Sequence, residues 1–472
     1  MSSKLKAVFK YLLDVEPNER VKVLLLTLSF FLVIGSYTVI RECKDAVFTS
    51  VVASTGRTYQ AWAKMLSMAL LIPALMLHAR LVDKLKRHYL LYFYTVLYGV
   101  MGLICAYFLG DPVIGLANKA ASPHRIFGWL FYLFIEGYSP FVVSVFWAFA
   151  NSVTSPESAK NNYTFMIAGS KLGGIVTALA AYMLLSRPIF CNAVTCDVLN
   201  LQILVAASSL LLLVVPAVIW LLMKKVPRKY MHGYEAGYQV EKERHKTQEK
   251  EKEPVLKSMI SGLWLLFKYP YVMGIFGMSF FFELINQAFK IENIVFGVSN
   301  STNTSVFTKF LLTQALLVHL AGLVVVVFGT KALLKALGEK RSLLLVPTIT
   351  GLSVIYFVWR KSPFAATVAF VITRSVNYAF AVPLRESLYI PTIKEMQFKS
   401  KSWIDGFGTK FAKSCAVNFN AATDSLSHGA RFTAQSAFFV ITIGLWFITS
   451  YALGKRFEKA VDRNEVIGSE EA

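Results

Sequence analysis

Residues 21–48 have the sequence VKVLLLTLSFFLVIGSYTVIRECKDAVF. Its first part is a mostly apolar run of about 20 residues, the length that an α-helix needs to cross the hydrocarbon core of a membrane. The run continues directly into Arg41, Glu42, Lys44 and Asp45. A lysine inside the membrane costs about 2.5–3.5 kcal/mol on insertion scales, so a cation placed there predicts a functional site.

The rest of the chain has the same character. Of its 472 residues, 55% are hydrophobic and 14% aromatic, with a mean hydropathy of +0.52, which excludes an ordinary water-soluble domain. The apolar runs are continuous, whereas barrel strands would alternate, so they favour helices. We predict an all-α polytopic membrane protein with twelve transmembrane helices, at residues 21–40, 61–80, 89–109, 126–151, 163–186, 199–223, 271–289, 307–330, 342–358, 363–384, 404–422 and 433–453.

Basic residues fall in alternate connections between these helices, as in Arg80, Lys84, Lys86 and Arg87 after the second one. The positive-inside rule therefore predicts that both termini are cytoplasmic. Topology also accounts for most of the net charge of +21, so no nucleic-acid partner is predicted. The charged, polar first 20 residues do not resemble a cleavable signal peptide, and a bacterial inner membrane fits best.

The chain divides near its middle, where residues 224–256 are charged and lack apolar periodicity. We predict a cytoplasmic linker there, joining an N-terminal six-helix half (1–223) to a C-terminal six-helix half with a cytoplasmic tail (257–472). Two six-helix halves are the plan of major facilitator-type transporters. Cys191 and Cys196 share the predicted outward loop after the fifth helix, and the sequence leaves open a disulfide or two free thiols. No metal-ligand spacing is present, and no cofactor is predicted.

Charged, amide and aromatic side chains recur at helical spacing inside four predicted helices, and we expect them to face a common cavity. Lysines suit phosphate as point charges, aromatic rings can stack on a base, and asparagine can read its edge. The carboxylates would hold the lysines when no substrate is bound. The predicted substrate-binding residues are Tyr37, Arg41 and Lys44 in the first helix; Glu136, Trp147 and Asn151 in the fourth; Glu283, Asn286 and Lys290 in the seventh; and Lys410 and Lys413 in the eleventh.

These residues also have a structural interpretation, since buried charges can form ion pairs and charges near helix ends can reach the interface. Trp147 and Tyr37 alone would be packing residues more often than a base platform. The sequence favours neither a structural nor a functional role for Lys64, Lys171 and Arg374, and we leave these residues out of the site.

Three segments carry a family resemblance: SYTVIRECKDAV (36–47), FWAFAN (146–151) and the block from Tyr389 to Lys413. They resemble the nucleotide transporter family, the ATP/ADP translocases of plastids and obligate intracellular bacteria. The resemblance implies ATP/ADP exchange by alternating access, with Lys44, Glu136, Glu283 and Lys413 as the charges used for transport. The chain departs from the family at 381–387, AVPLRES, and has Cys415-Ala416 where members often have two glycines.

Other functions remain open. A proton-coupled importer of nucleotides or another organic anion would use Glu136 or Glu283 as the titrating group. An enzyme acting on phosphorylated lipids would need a nucleophile, base or metal set that the sequence lacks. A phosphate loop of the G-x-x-x-x-G-K-[ST] kind is also missing, so ATP would be cargo and not fuel. The expected partners are ATP, ADP and membrane lipids; the oligomeric state is open, and a monomer is plausible.

Overall fold

The computed structural model is almost entirely helical, as the hydrophobic runs require, because a helix satisfies its own backbone hydrogen bonds without water. It describes residues 19–52, 57–154, 156–186, 195–227, 231, 263–360, 362–389, 391–393, 396, 400–401, 403–463 and 465–468. The long helices are α1 Arg20–Val51, α2 Arg57–Lys84, α3 Arg87–Leu109, α4 Ile126–Val153, α5 Pro156–Ser186, α6 Thr195–Lys225, α7 Pro270–Ser299, α8 Thr304–Val324, α9 Thr330–Arg360, α10 Pro363–Val376, α11 Thr409–Ala422 and α12 His428–Asp462.

Within the described residues, nine helices are long and apolar enough to cross a membrane. The chain is therefore an integral membrane protein. The predicted segments that fall on α2, α10 and α11 are helical but outside that set, and α10 and α11 have only 14 residues each. The predicted linker lies almost wholly outside the described residues, as does Cys191. Cys196 is disulfide-bonded.

The described residues include four π turns, two of which are Val325–Gly329 after α8 and Trp403–Gly408 before α11. The other two fall at similar points of α4 and α10. In α4 it is Ser139–Val143, and in α10 the helix passes into a π turn at Asn377–Ala381 and then a short helix, Val382–Ser387. A π turn inserts an extra residue and often marks a functional site. It also rotates everything beyond it, so the regular spacing that predicted Glu136 and Trp147 on one face of α4 is interrupted between them.

The chain forms two compact units. Unit 1 comprises Met1–Ser54, Leu70–Glu251 and Ser301–His319. Here α1 packs along α5 and α6, and small residues allow the close approach. A Cβ added to Gly35 would lie 2.9 Å from Cγ2 of Thr177, whose hydroxyl donates to the Gly35 carbonyl at 3.0 Å.

The start of α8 is also part of unit 1. The Ser305 N–H donates to Oδ1 of Asp197 at 2.5 Å, and the Thr304 and Ser50 hydroxyls are hydrogen-bonded at 2.8 Å. Asp197 thus caps the first turn of α8, where free backbone N–H groups need an acceptor. The contact with Ser50 places the start of α8 beside the end of α1.

Unit 2 comprises Thr55–Ala69, Lys252–Asn300 and Leu320–Ala472. In it α7 packs on α11 and α12, and α9 packs on α12. Stacked rings of Phe289 and Phe439, with centroids 4.9 Å apart, lie between α7 and α12. The chain end also packs here, because the Ile467 N–H donates to the Pro391 carbonyl at 2.8 Å.

Candidate functional site

Lys44 is the best-enclosed cation of the predicted set in unit 1. The α1 helix runs without a break to Val51, so Lys44 sits inside it and is only 1% exposed. Its ammonium pairs with the Glu136 carboxylate of α4 and lies 3.2 Å from Oδ1 of Asp45. Nζ also stands 4.3 Å from the ring centre of Tyr132. Two carboxylates and an aromatic face therefore hold one ammonium group, a combination that offsets its loss of hydration.

Arg41 and Tyr37 continue along the same side of α1. The Arg41 guanidinium hydrogen-bonds Glu42, with Nε donating at 2.7 Å, and lies 5.4 Å from the Tyr37 ring. Tyr37 in turn stacks on Tyr138 of α4, with ring centroids 4.9 Å apart. The structure thus brings Lys44, Glu136, Arg41 and Tyr37 together along one contact between α1 and α4.

Trp147 and Asn151 are not beside Lys44. Trp147 is eleven residues beyond Glu136 on α4, which corresponds to about 16 Å along the helix. Its ring packs edge-on against Phe30 at 5.0 Å and Tyr163 at 5.2 Å. Asn151 is exposed and accepts a hydrogen bond from the Tyr163 hydroxyl. Trp147 thus forms an aromatic cluster with Phe30 and Tyr163, and Asn151 joins it through the Tyr163 hydroxyl, which matches the packing interpretation of Trp147.

Unit 2 contains a second lysine–carboxylate pair. Nζ of Lys413 on α11 lies 3.4 Å from Oε1 of Glu283 on α7, and the two side chains are 26% and 11% exposed. The ring centroids of Phe280 and Phe411 lie 5.9 Å apart, about one helical turn from this ion pair. Residue numbers rise together on both helices, so α7 and α11 run parallel.

Asn286 contacts the carboxylate of this pair. Its Nδ2 donates to Oε2 of Glu283 at 3.2 Å, which fixes the direction of the amide. Its Oδ1 is buried and has no hydrogen-bond partner among the described residues. Such an acceptor is costly unless a ligand supplies a donor, because buried polar atoms are nearly always paired.

Lys290 and Lys410 are half-buried on the same two helices. Lys410 precedes Lys413 by three residues, so the two lie on one face of α11, while Lys290 is about 10 Å beyond Glu283 along α7. The sequence reasoning missed Tyr132, which lies under the Lys44 ammonium. Its spacing of four from Glu136 was a usable signal.

Arg385 contacts two other segments of unit 2 through its guanidinium group. Nη1 donates to the Ser279 hydroxyl of α7 at 2.6 Å, and Nη2 lies 3.4 Å from Oδ1 of Asp405. The guanidinium fork therefore links the end of the α10 segment to α7 and to the residues before α11. A single ammonium could not point in both directions in this way.

Comparison with known proteins gives a consistent result. The model of the TLC ATP/ADP transporter family matches residues 1–110 and 124–361. ADP,ATP carrier protein 1 of Chlamydia pneumoniae is 22% identical over 98% of this chain and 96% of the carrier. ADP,ATP carrier protein 4 of Rickettsia conorii is also 22% identical, over 98% and 97%. ADP,ATP carrier protein 2, chloroplastic, of Arabidopsis thaliana is 27% identical over 35% of this chain and 30% of the carrier.

Solved structures resemble the fold. A D-xylose-proton symporter has a TM-score of 0.59 at 14% identity, covering 92% of this chain and 96% of its own. The nucleoside transporter NupG has a TM-score of 0.55 at 13% identity, covering 91% and 98%. At such low identity the likeness concerns the arrangement of helices alone.

Proposed function

We propose, from the premise that this chain belongs to the TLC ATP/ADP transporter family, that it exchanges ATP for ADP across a bacterial inner membrane by alternating access. It is a membrane transporter, and ATP is its cargo. The observation that carries the proposal is the buried Lys44–Glu136 ion pair within membrane-spanning helices, matched in unit 2 by Lys413 and Glu283. Relatives along nearly the whole chain are ADP,ATP carriers, which supports nucleotides as the substrates.

The carboxylates act as stand-ins for phosphate. A phosphate oxygen and a carboxylate oxygen are equivalent partners for an ammonium group, since both give charge-assisted hydrogen bonds. A nucleotide phosphate replaces Glu136 as the partner of Lys44, and Glu283 as the partner of Lys413. The positive charge of each lysine is therefore balanced when nucleotide is bound. An unpaired charge in a low-dielectric environment would cost roughly several kcal/mol.

Each unit offers one group suited to a nucleotide base, Tyr37 in unit 1 and Asn286 in unit 2. The unpartnered Oδ1 of Asn286 can accept a hydrogen bond from the exocyclic amine of adenine, which guanine does not present at that position. The Tyr37 ring, already stacked on Tyr138, supplies an aromatic face. Trp147 and Asn151 support the helix packing of unit 1 and have no part in this proposal.

Obligatory exchange follows from the same charges. An empty carrier must break the Lys44–Glu136 and Lys413–Glu283 ion pairs before it can reorient, and this leaves lysines and carboxylates unpaired in a low dielectric, which is costly. A bound nucleotide removes this barrier in both directions. The carrier therefore moves readily when loaded and slowly when empty, which couples uptake of one nucleotide to release of the other.

The finer architecture belongs to the same proposal. Twelve transmembrane helices in two six-helix halves give both termini a cytoplasmic position, and a monomer surrounded by lipid is the working unit. The π turns of α4 and α10 support the repeat, because these helices occupy equivalent places in a six-plus-six plan.

Radiolabelled ATP uptake into proteoliposomes tests the function. Vesicles loaded with ADP are compared with empty vesicles, each with and without an imposed proton gradient. We expect uptake that requires internal ADP and ignores the gradient. Proton-driven uptake into empty vesicles, abolished by an uncoupler, would instead establish a net importer with Glu136 or Glu283 as the proton carrier. Absence of uptake under all four conditions would reject nucleotide transport.

A further inference from the structure

Two hydrogen bonds set the direction of α10 relative to α7. The Thr367 hydroxyl donates to Oδ1 of Asn293 at 2.7 Å, and Nη1 of Arg385 donates to the Ser279 hydroxyl at 2.6 Å. Residue numbers therefore rise along α7 where they fall along α10 and its continuation, Val382–Ser387. The two helices are antiparallel.

Asn286 and Arg374 lie at the same level of this contact. Asn286 precedes Asn293 by seven residues, and Arg374 follows Thr367 by seven. Seven residues are about two helical turns, or roughly 10 Å, and return a side chain to nearly the same side of its helix. Because the helices are antiparallel, both steps lead the same way from the hydrogen bond between Thr367 and Asn293. Asn286 on α7 and Arg374 on α10 therefore face each other.

Arg374 is buried at this level. It is 7% exposed, and its Nε has no hydrogen-bond partner among the described residues. Its Cζ lies 5.2 Å from the ring centre of Phe370 and 5.6 Å from that of Tyr378. These aromatic faces offset part of the hydration that the guanidinium loses, but the Nε–H still needs an acceptor.

Asn286 limits what the ligand can be. Its buried Oδ1, which has no partner in the part of the chain that the structure describes, is an acceptor, whereas every N–H of Arg374 is a donor. An ionised phosphate, a carboxylate or a chloride ion has acceptors only, so it would satisfy Arg374 and leave Asn286 unpaired. The two side chains therefore require a ligand that presents an acceptor and a donor next to each other.

The Watson–Crick edge of adenine has this arrangement, because the acceptor N1 lies beside the exocyclic amine. Guanine has the reverse, a donor at N1 beside an oxygen, and would leave both side chains mismatched, which is the strongest form of rejection that a polar site achieves. We propose that Arg374 is a specificity-determining residue, which donates to adenine N1 while Asn286 accepts from the amine. This assignment rests on the proposed exchange of ATP and ADP, since both carry adenine.

Exchange kinetics of Arg374→Met in proteoliposomes test the assignment, because methionine keeps a long side chain and loses the donor. The KM values for ATP, ADP and 7-deaza-ATP, which lacks N7 but retains N1, should rise about tenfold or more, as expected for a hydrogen bond from a charged donor. The KM for GTP should change less than about threefold.

Arg360→Met is the matched control in the same unit. The Arg360 guanidinium also lies beside an aromatic ring, with Cζ 5.7 Å from the ring centre of Trp359, but Arg360 is exposed at the end of α9. Its replacement should change none of the four KM values.

Three results for Arg374→Met would overturn the assignment while leaving the exchange function intact. Equal rises in the KM for ATP and GTP would indicate a phosphate contact or a general effect on the helices. A rise for ATP without one for 7-deaza-ATP would place Arg374 at N7 and not at N1. Unchanged KM values would remove Arg374 from the substrate site.

A wild-type protein that exchanges neither ATP nor ADP would reject the function instead. The assignment is then decided with nucleosides, which have no phosphate, in thermal unfolding of the purified protein. Adenosine should protect the wild type more than Arg374→Met, and inosine, which has an oxygen in place of the amine, should protect neither. Equal protection of the two proteins by adenosine, including none, would overturn the assignment.

Discussion

Lys44 and Glu136 lie 92 residues apart in the chain and form an ion pair between two helices that cross the membrane side by side. The ammonium is almost fully enclosed, and the carboxylate is only 11% exposed. If the pair is purely structural, a variant that lacks both charges should still exchange nucleotides. If substrate replaces Glu136 as the partner of Lys44, that variant should not exchange them.

Replacing Lys44 by Ala leaves Glu136 buried without its cation, which should destabilise the protein by about 3–5 kcal/mol and abolish exchange. The double variant Lys44→Met/Glu136→Gln removes both charges, so it should recover most of the stability and still fail to exchange. Thermal unfolding in detergent and proteoliposome exchange measure the two effects. A fully active double variant would make the pair structural only.

Lys340→Gln provides the control for charge removal. Lys340 pairs with Glu458 at 2.5 Å, but the two side chains are 36% and 50% exposed. Exposed pairs contribute little because solvent screens them, so stability and exchange should both stay near wild-type values.

Asn286→Ala should reduce the preference of the carrier for ATP over GTP. Removing an acceptor that pairs with adenine costs about one hydrogen bond, or roughly tenfold in the KM for ATP, and should leave the KM for GTP nearly unchanged. Competition of unlabelled nucleotides against labelled ATP measures this ratio. An unaltered ATP-to-GTP ratio would remove Asn286 from base recognition.

Asn293→Ala is the matched control on the same helix. Its amide is already satisfied, since Nδ2 donates to the Phe289 carbonyl at 2.8 Å and Oδ1 accepts from the Thr367 hydroxyl at 2.7 Å. Stability should fall by about 1–3 kcal/mol because buried partners lose their hydrogen bonds. Base selectivity should stay as in the wild type.

Gly173→Ala should destabilise unit 1 by about 1–3 kcal/mol, the usual cost of overpacking. The added methyl group would clash with the Phe31 carbonyl oxygen, and backbone cannot move aside as a flexible side chain can. Gly444→Ala is the comparison, because nothing lies within 4 Å of a Cβ there. Its melting temperature should stay the same or rise, since alanine is the better helix former. Equal melting temperatures for the two variants would contradict the close approach of α1 and α5.

The docked chain end should loosen in acid. Nη1 of Arg456 donates to Oε2 of Glu465 at 2.8 Å, and this hydrogen bond, aided by the charges of Arg456, Lys459 and Arg463, lowers the pKa of Glu465 below its ordinary value. A lowered pKa in the folded state means that the contact stabilises docking above the ordinary glutamate pKa. That stabilisation is lost as the pH falls through the lowered value.

Hydrogen-exchange protection of the Ile467 amide, which donates to the Pro391 carbonyl, reports this docking. Protection should be high at neutral pH and fall in acid. Glu465→Gln should be weakly protected at every pH, with no acid transition. A wild-type protection factor that is constant across the acid range would contradict the assignment.

Much of the fold was predictable because it is local. Each apolar run of about 20 residues becomes a helix through hydrogen bonds within the run, and hydropathy alone indicates this. The family motif around Lys44 also lies in one contiguous stretch. In α4 the π turn at Ser139–Val143 interrupts the regular spacing between Glu136 and Trp147, and local periodicity does not indicate such a turn.

The sequence by itself determined that the chain is a helical membrane protein, which cations it carries into the membrane, and which family it resembles. Only the tertiary structure decided which carboxylate holds which lysine and that Trp147 packs away from Lys44. The reason is physical: a helix depends on neighbours four residues away, whereas an ion pair depends on how helices distant in sequence pack against each other.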